Sequence, residues 1–299
     1  MSRILLTGAT GFLGRHILER LLNGGHDEIH AACRNPPAAE QGRVRWHAAD
    51  LRDAAAAAAL VAEVRPSHLL HAAWIATPGI YLQAPENLDW LAAGLALARA
   101  FGENGGTRFV GVGSSAEYAP GDAPCREDDT PVRPASLYGQ CKLACWHAIL
   151  AAARHYDFSA AWGRVFLPYG PGDAPQRLIP SVLAALRQGQ SVDTSHGRQV
   201  RDFVFAPDAA ALLAGLLGSS ESGAYNIGSG QGIPVRTVIE ALAEPFGARG
   251  SLHFGARPLV AGEPMRLVAD MSKTRRVVPG VEPLPFGDGL ARTLAEMPR

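Results

Sequence analysis

A glycine-rich segment near the N-terminus constrains the fold of this chain more than any other feature. Gly8, Gly11 and Gly14 follow a β-forming run at Arg3–Thr7, and an amphipathic helical pattern begins at Phe12. A strand, a glycine turn and a helix start place the first N–H groups of the helix where they can bind a diphosphate. Gly8 allows the sharp turn, Gly11 the close approach of a ligand, and Gly14 the contact between helix and sheet. The segment therefore predicts a dinucleotide-binding βαβ unit.

Length and composition limit the classes of protein to consider. The 299 residues suffice for a large α/β domain with an appended lobe, and 28 Lys and Arg balance 28 Asp and Glu. No global field therefore favours nucleic acid or an acidic membrane, and no apolar run is long enough to span a bilayer. The four cysteines form no CxxC pair, which indicates reduced thiols in a cytoplasmic protein. The ten histidines are scattered, so no metal is expected.

The second predicted strand, over residues 28–33, bears on the choice of dinucleotide. In a fold of this type, the residue at the tip of that strand meets the adenosine ribose, and a carboxylate there favours NAD. Cys33 and Arg34 stand at this tip instead. A guanidinium can pair with a 2′-phosphate and stack on adenine. The sequence therefore favours NADP(H) and leaves NAD(H) as the alternative.

Further strands and helices alternate along the N-terminal half. Strands are predicted at 44–47, 68–71 and 107–112, and helices at 54–64 and 83–103. Asp50 follows the first of these strands, where its carboxylate can accept a hydrogen bond from the adenine amino group. Asp53 has a simpler structural role as the N-cap of the next helix. Ala72 and Ala73 follow the second strand, and such small residues allow the backbone to lie against a cofactor.

A serine pair and a Tyr-x-x-x-Lys sequence carry the chemistry. Ser114 and Ser115 follow the strand at 107–112, and a later helix opens with Tyr138 and Lys142. The tyrosine and the lysine are four residues apart, so they share one helix face. A nearby ammonium lowers the pKa of a phenol, and the phenol then becomes an effective acid and base at neutral pH. A serine hydroxyl from the neighbouring strand can hold the reacting oxygen.

With these motifs, the chain resembles the extended short-chain dehydrogenase/reductases of the nucleotide-sugar epimerase/dehydratase/reductase family. The matching segments are TGATGFLG at 7–14, DLRD at 50–53, HAA at 71–73, SSAEY at 114–118, YGQCK at 138–142, RVFLPYGPG at 164–172, RDFVFAPD at 201–208, YNIGSG at 225–230 and ADMSK at 269–273. The resemblance implies an α/β fold, with a Rossmann-type doubly wound parallel sheet and a smaller α+β C-terminal substrate lobe. Residues 1–168 would form the NAD(P)-binding domain, which also takes segments near 200–220. Residues 169–299 would mainly form the interleaved substrate lobe.

The resemblance also implies roles for individual residues. Tyr138 would be the catalytic acid and base, Lys142 would bind the nicotinamide ribose, and Ser114 would be the catalytic hydroxyl. The other implied dinucleotide contacts are Gly8, Thr10, Gly11, Phe12, Leu13, Gly14, Arg34, Asp50, Leu51, Ala72, Ala73, Asn87 and Phe166. The implied contacts to a nucleotide-diphosphate sugar are Trp74, Ser115, Arg177, Arg201 and Arg257.

Three further implications accompany these roles. Arg201 would bind the diphosphate of the sugar nucleotide; the alternative is a surface ion pair with Asp202. Asn87 would order part of the site, unless it is an amide on the helix surface. By analogy with the family, the protein would form a homodimer through a four-helix bundle.

Departures from the family pattern bear on the reaction. Family dehydratases carry an Asp-Glu pair directly after the catalytic Ser or Thr, where this chain has Ser115 and Ala116, and Glu117 comes one place late. Leu167 stands where many 4-epimerases have asparagine. We therefore expect reduction of an NDP-4-keto-6-deoxyhexose at C4 by NADPH. The alternatives are an NDP-sugar 4-epimerase with tightly bound NAD and a non-catalytic dinucleotide-binding regulator.

Overall fold

The computed structural model describes residues 2–25, 28–37, 42–260 and 262–296, and strands alternate with helices along most of this length. The strands are β1 (Arg3–Thr7), β2 (Glu28–Cys33), β3 (Val44–Ala48), β4 (His68–His71), β5 (Arg108–Ser114), β6 (Ser159–Val165), β7 (Leu167–Tyr169), β8 (Val192–Thr194), β9 (Val200–Phe205), β10 (Gly223–Ile227), β11 (Gly232–Pro234), β12 (Leu252–Phe254) and β13 (Arg266–Leu267). The helices are α1 (Phe12–Asn23), α2 (Ala54–Val64), α3 (Glu86–Glu103), α4 (Leu137–Tyr156), α5 (Leu178–Arg187), α6 (Ala206–Leu217), α7 (Val235–Ala243), α8 (Ser272–Val277) and α9 (Phe286–Glu296).

Seven parallel strands form the central sheet, in the order β10–β6–β5–β4–β1–β2–β3. Strand β1 pairs with β2 on one side and with β4 on the other, so that Ile4 lies opposite both Ile29 and His68. The strand order reverses between β1 and β4, and ligands of open parallel sheets bind at the carboxyl edge of such a point. The predicted Rossmann-type, doubly wound parallel sheet is confirmed.

Apolar layers cover both faces of this sheet. Successive side chains of a strand point to opposite faces, so Ile4 and Leu6 enter one layer and Leu5 enters the other. Helices α1 and α6 complete the first layer, whereas α2, α3 and α4 complete the second. The sheet is therefore buried on both sides, and its carboxyl edge remains for a functional site.

The C-terminal lobe has its own small sheet and core. Strands β11, β9 and β13 lie side by side, β7 also pairs with β9, and β8 pairs with β12. Tyr169, Phe203 and Ile239 are among the buried side chains of this core. Helix α6 follows β9 directly but packs against α1 of the first lobe, so the chain passes between the lobes more than once.

The start of α3 differs from the sequence-based prediction. A helix is predicted from residue 83, but α3 begins at Glu86 with Pro85 as its N-cap. Proline lacks an N–H group and is compatible only with the first turn of a helix. The residues before it, 77–84, form turns that lie over the start of α4, where Tyr138 N donates to Leu82 O at 3.0 Å.

The described ranges contain no helix that is both long and apolar enough to cross a membrane. Within the same ranges, no three His, Cys, Asp or Glu side chains are grouped as ligands for a metal ion.

A buried carboxylate connects the two lobes. Asp202 in β9 is fully buried and accepts hydrogen bonds from Ser229 N at 2.7 Å, Ser229 Oγ at 2.6 Å and Gly230 N at 2.9 Å. It also accepts one from Ala269 N at 3.1 Å. Ser229 follows β10 of the central sheet, and Ala269 follows β13 of the small sheet. One carboxylate thereby fixes the loops at the junction.

We expect Asp202→Asn to lower the free energy of unfolding by roughly 2–4 kcal/mol, because an amide cannot accept at both of its terminal atoms. Urea denaturation measures the change. Asp193→Asn is the matched control, since Asp193 is exposed and hydrogen-bonds the exposed His253, and we expect a change below about 0.5 kcal/mol there. Equal, small changes in both variants would contradict this role for Asp202.

Candidate active site

The glycine turn after β1 has the geometry that the sequence predicts. Gly8 adopts a positive φ of 74°, and a Cβ atom there would lie 2.6 Å from the backbone nitrogen of Ala73. A Cβ at Gly14 would collide with the carbonyl oxygen of Gly8. Gly11 is the N-cap of α1, with an extended backbone and no side chain above the first turn. The turn therefore presents backbone N–H groups that an anion can approach closely.

Two cavities meet at this turn. We call the first the β2 cavity; it has a volume of about 240 Å³ and is lined by Gly8, Thr10, Gly11, Ala32, Cys33, Arg34, Ala49, Asp50, Leu51, Ala72, Ala73, Trp74 and Trp90. The second, the α4 cavity, has a volume of about 210 Å³, and its lining includes Gly8, Gly11, Phe12, Leu13, Gly14, Ala72, Trp74, Tyr81, Ser114, Tyr138, Lys142, Phe166, Asp173 and Arg177. The structure thus brings together nearly all of the predicted dinucleotide contacts.

The β2 cavity contains a carboxylate as well as the predicted arginine. Arg34 is exposed at the tip of β2. Asp50 is held by Arg52, with Nη2 to Oδ2 at 2.6 Å and Nε to Oδ1 at 3.0 Å. The hydrogen bonds from Arg52, with a smaller effect of Arg34, lower the pKa of Asp50 to about 2. The loop after β3 therefore places a carboxylate, paired with Arg52, in the same cavity as Arg34.

Ser114, Tyr138 and Lys142 line one wall of the α4 cavity. Tyr138 and Lys142 lie on successive turns of α4, and Ser114 ends β5. Burial raises the pKa of the Tyr138 phenol well above its usual value, and the Ser114 hydroxyl beside it offsets part of this shift. Burial also lowers the pKa of Lys142 to about 7.

The predicted lowering of the tyrosine pKa by Lys142 is not observed. The ammonium of Lys142 lies 5.9 Å from the ring centroid of Tyr138 and donates a hydrogen bond to Val112 O at 2.7 Å. Desolvation is the largest influence on the pKa of both groups. It favours the neutral phenol and the neutral amine.

Glu117 lies beneath the site and outside the α4 cavity. It closes a 3₁₀ turn over Ser115–Glu117, and its Oε1 accepts from Ser114 N at 2.9 Å and from Trp162 Nε1 at 2.9 Å. Its Oε2 accepts from Arg164 Nε at 2.8 Å, and both charged side chains are buried. The turn directs Glu117 inward, where its carboxylate completes a capping box with Ser114.

Glu117→Gln should lower the free energy of unfolding by about 3–5 kcal/mol, because it leaves the guanidinium of Arg164 buried without its counter-charge. Chemical denaturation tests this. Glu103→Gln is the control, since Glu103 pairs with Arg99 on the helix surface and should contribute less than about 0.5 kcal/mol. If the double variant Glu117→Gln/Arg164→Gln were no more stable than Glu117→Gln, the unpaired charge would not be the cause.

Arg177 and Asp173 line the α4 cavity opposite α4. The guanidinium of Arg177 lies 5.8 Å from the ring centroid of Tyr81, and its Nε lies 3.7 Å from Asp173 Oδ1. Burial raises the pKa of Asp173 to about 6. Asp173 is not among the site residues predicted from the sequence, where it is only an acidic residue in the loop that follows β7.

Arg201 and Arg257 lie in the C-terminal lobe, in a cavity of about 520 Å³ that we call the lobe cavity. Arg201 is 6% exposed, and its Nη2 donates to Glu263 Oε1 at 2.6 Å. The alternative of a surface ion pair with Asp202 is therefore wrong. Glu263, which also lines the cavity, has no local sequence signal because 62 residues separate it from its partner.

Two predicted contacts lie outside all three cavities. Ser115 is buried in the 3₁₀ turn, where its carbonyl oxygen accepts from Tyr118 N at 3.2 Å. Asn87 is fully buried, so it is no surface amide, and its Oδ1 accepts from Trp74 Nε1 at 2.8 Å. Its Nδ2 donates to Tyr81 O at 2.7 Å and to Ala84 O at 2.8 Å. Asn87 thus links Trp74 to the turn before α3, and both hydrogens of its amide are already used in hydrogen bonds.

Comparisons with known proteins agree with this geometry. The model of the NAD dependent epimerase/dehydratase family matches residues 4–228. A UDP-glucose 4-epimerase of Bacillus subtilis is 27% identical over 91% of this chain and 90% of its own. The solved structure of MoeE5 in complex with UDP-glucose and NAD is 29% identical, with a TM-score of 0.83 and 98% of both chains covered.

A dehydratase is also among the similar structures. The dTDP-glucose 4,6-dehydratase DesIV from Streptomyces venezuelae, with NAD bound, is 25% identical, with a TM-score of 0.86 over 98% of this chain and 96% of that one. With its motifs, sheet and cavities, this chain belongs to the NAD-dependent epimerase/dehydratase family. It is an extended short-chain dehydrogenase/reductase of the group that acts on nucleotide sugars.

Proposed function

We propose that this protein is a UDP-hexose 4-epimerase that retains NAD through its catalytic cycle. The observation that carries the proposal is the shared cavity in which Ser114, Tyr138 and Lys142 lie beside the glycine turn. The epimerase relatives favour this reaction over the reduction that the sequence alone favours, since they match nearly the whole chain.

The residues at the glycine turn fit a dinucleotide. The backbone of Ala73 lies so close to Gly8 that no side chain fits at position 8. The N-terminus of α1 provides N–H donors for a diphosphate. Arg34, Asp50 and Leu51 in the β2 cavity would hold the adenosine half. Phe12, Leu13 and Phe166 in the α4 cavity would surround the nicotinamide half. When bound, the dinucleotide supplies hydride transfer at C4 of the sugar.

The side chains of the α4 cavity provide the matching proton chemistry. In its phenolate form, Tyr138 accepts the proton of the C4 hydroxyl as the carbonyl forms, and the resulting phenol returns that proton to the C4 oxygen as the other epimer forms. Ser114 donates a hydrogen bond to the C4 oxygen in both directions. Lys142, when protonated, stabilises the phenolate of Tyr138 at the step where it carries negative charge. Burial raises the pKa of the free phenol, so a nearby positive charge favours formation of the phenolate.

The lobe cavity is the proposed site of the nucleotide. Arg201 and Arg257 would pair with the diphosphate, since guanidinium groups bind such oxygens bidentately. Trp74 and Arg177 would contact the sugar from two sides of the α4 cavity.

A 4,6-dehydratase is disfavoured by the turn after Ser114. Elimination of water across C5 and C6 needs acid and base side chains beside those carbons. Ser115 and Ala116 provide none, and both oxygens of Glu117 are held by buried donors.

The second candidate is NADPH-dependent reduction of an NDP-4-keto-6-deoxyhexose. Arg34 at the tip of β2 favours it, because a guanidinium suits a 2′-phosphate. The similar structures that hold NAD oppose it. We also propose that the protein forms a homodimer through α3 and α4 and that it is located in the cytoplasm.

The first experiment incubates the purified protein with UDP-glucose or UDP-galactose and resolves the products by chromatography. We expect interconversion of the two and release of NAD from the heat-denatured protein. Tyr138→Phe should lower kcat by about 10²–10⁴-fold without loss of NAD. Tyr156→Phe, at the far end of the same helix, should leave kcat unchanged.

Two results would overturn the proposal. Oxidation of NADPH by an NDP-4-keto-6-deoxyhexose, without epimerisation, would replace it with the reductase. Binding of a dinucleotide without either activity would favour the non-catalytic regulator.

A further inference from the structure

The indole of Trp74 lies directly over the ammonium of Lys142. Lys142 Nζ is 3.8 Å from the centroid of the Trp74 ring, which is close contact for a cation on an aromatic face. The same nitrogen donates to Val112 O at 2.7 Å. The ring and the carbonyl oxygen are both electron-rich, and both face the ammonium from within the cavity wall.

This contact matters because Lys142 has few other means of holding a proton. The side chain is 3% exposed, and the described contacts give its ammonium no carboxylate within ion-pair distance. Glu117 and Cys145 favour its charged form from a distance. The buried His71 stays neutral, with its pKa lowered to about 3. A cation on an indole face is stabilised most strongly when it is desolvated.

The indole itself is fixed by a chain of contacts that returns to the catalytic tyrosine. Trp74 Nε1 donates to Asn87 Oδ1 at 2.8 Å, and Asn87 Nδ2 donates to Tyr81 O at 2.7 Å. The Tyr81 ring packs edge-on against the Tyr138 ring at 4.9 Å between centroids. On its outer side, Trp74 stacks on Trp90 at 6.5 Å. Its ring therefore has little freedom to leave Lys142.

We infer that Trp74 is a positioning residue that keeps Lys142 protonated at neutral pH through a cation–π contact, with Asn87 holding the indole in place. Trp74 thereby acts through Lys142 on the proton transfer of Tyr138. This catalytic consequence rests on the proposed function, whereas the effect on the protonation of Lys142 does not.

The composition of the chain permits a direct test. Lys142 and Lys273 are its only lysines, so protein labelled with ¹³C at the lysine ε-carbon gives two side-chain NMR signals. Lys273→Arg removes one signal and so assigns both. Lys273 pairs with Asp128 at 2.8 Å, far along the chain from Trp74, and its signal is an internal control in every sample.

We expect the midpoint of the Lys142 signal to fall by about one pH unit or more in Trp74→Leu. Trp74→Phe keeps an aromatic face and should lose only part of this shift. The Lys273 midpoint should not change in either variant. An unchanged Lys142 midpoint in both variants, or equal shifts in Trp74→Leu and Trp74→Phe, would overturn the inference.

The activity of the same variants separates this inference from the proposed function. The limb of the pH–kcat profile on which Lys142 loses its proton should move to lower pH in Trp74→Leu, by the shift that NMR measures. An active wild type whose profile is unmoved in Trp74→Leu would refute the inference alone. Absence of epimerase activity in the wild type would refute the proposed function, and the NMR titration would still decide the inference.

Discussion

The buried ion pair between Glu117 and Arg164 supports the whole active-site region. Removing two charges from water is costly, and only complete hydrogen bonding compensates for that cost. Glu117 also accepts from Ser114 N and Trp162 Nε1, so β5 and β6 are fixed together at the point where Ser114 ends β5. The charge pair therefore holds the backbone of Ser114 at the end of β5.

The same network extends to the C-terminal lobe. Arg164 Nη1 donates to Tyr118 Oη at 3.2 Å, and Tyr118 Oη donates to Asn226 Oδ1 at 2.7 Å. Asn226 Nδ2 in turn donates to Cys125 O at 2.7 Å and to Asp270 O at 3.1 Å. Polar groups buried in this way specify one arrangement, because a shifted neighbour leaves them unsatisfied. The two lobes, and the cavities along their junction, thus share one set of hydrogen bonds.

Burial also sets the electrostatic character of the α4 cavity. It raises the pKa of Tyr138 and lowers that of Lys142, so both groups are driven towards their neutral forms. Within the described residues, the electron-rich groups that face the Lys142 ammonium are the indoles of Trp74 and Trp162 and the carbonyl oxygen of Val112. The low dielectric that shifts both pKa values also strengthens each of these interactions.

The sequence by itself determined the parts of this protein that depend on local pattern. The glycine spacing at 8–14 and the alternating strands and helices specified the parallel sheet and its dinucleotide turn. The four-residue spacing of Tyr138 and Lys142 placed both on one helix face.

Only the tertiary structure decided which residues from other elements these side chains contact. Glu117 and Arg164 are 47 residues apart, and Trp74 reaches Lys142 of α4 from the loop that follows β4. Such pairs, and the pKa shifts that burial causes, depend on how whole elements pack, which no local spacing encodes.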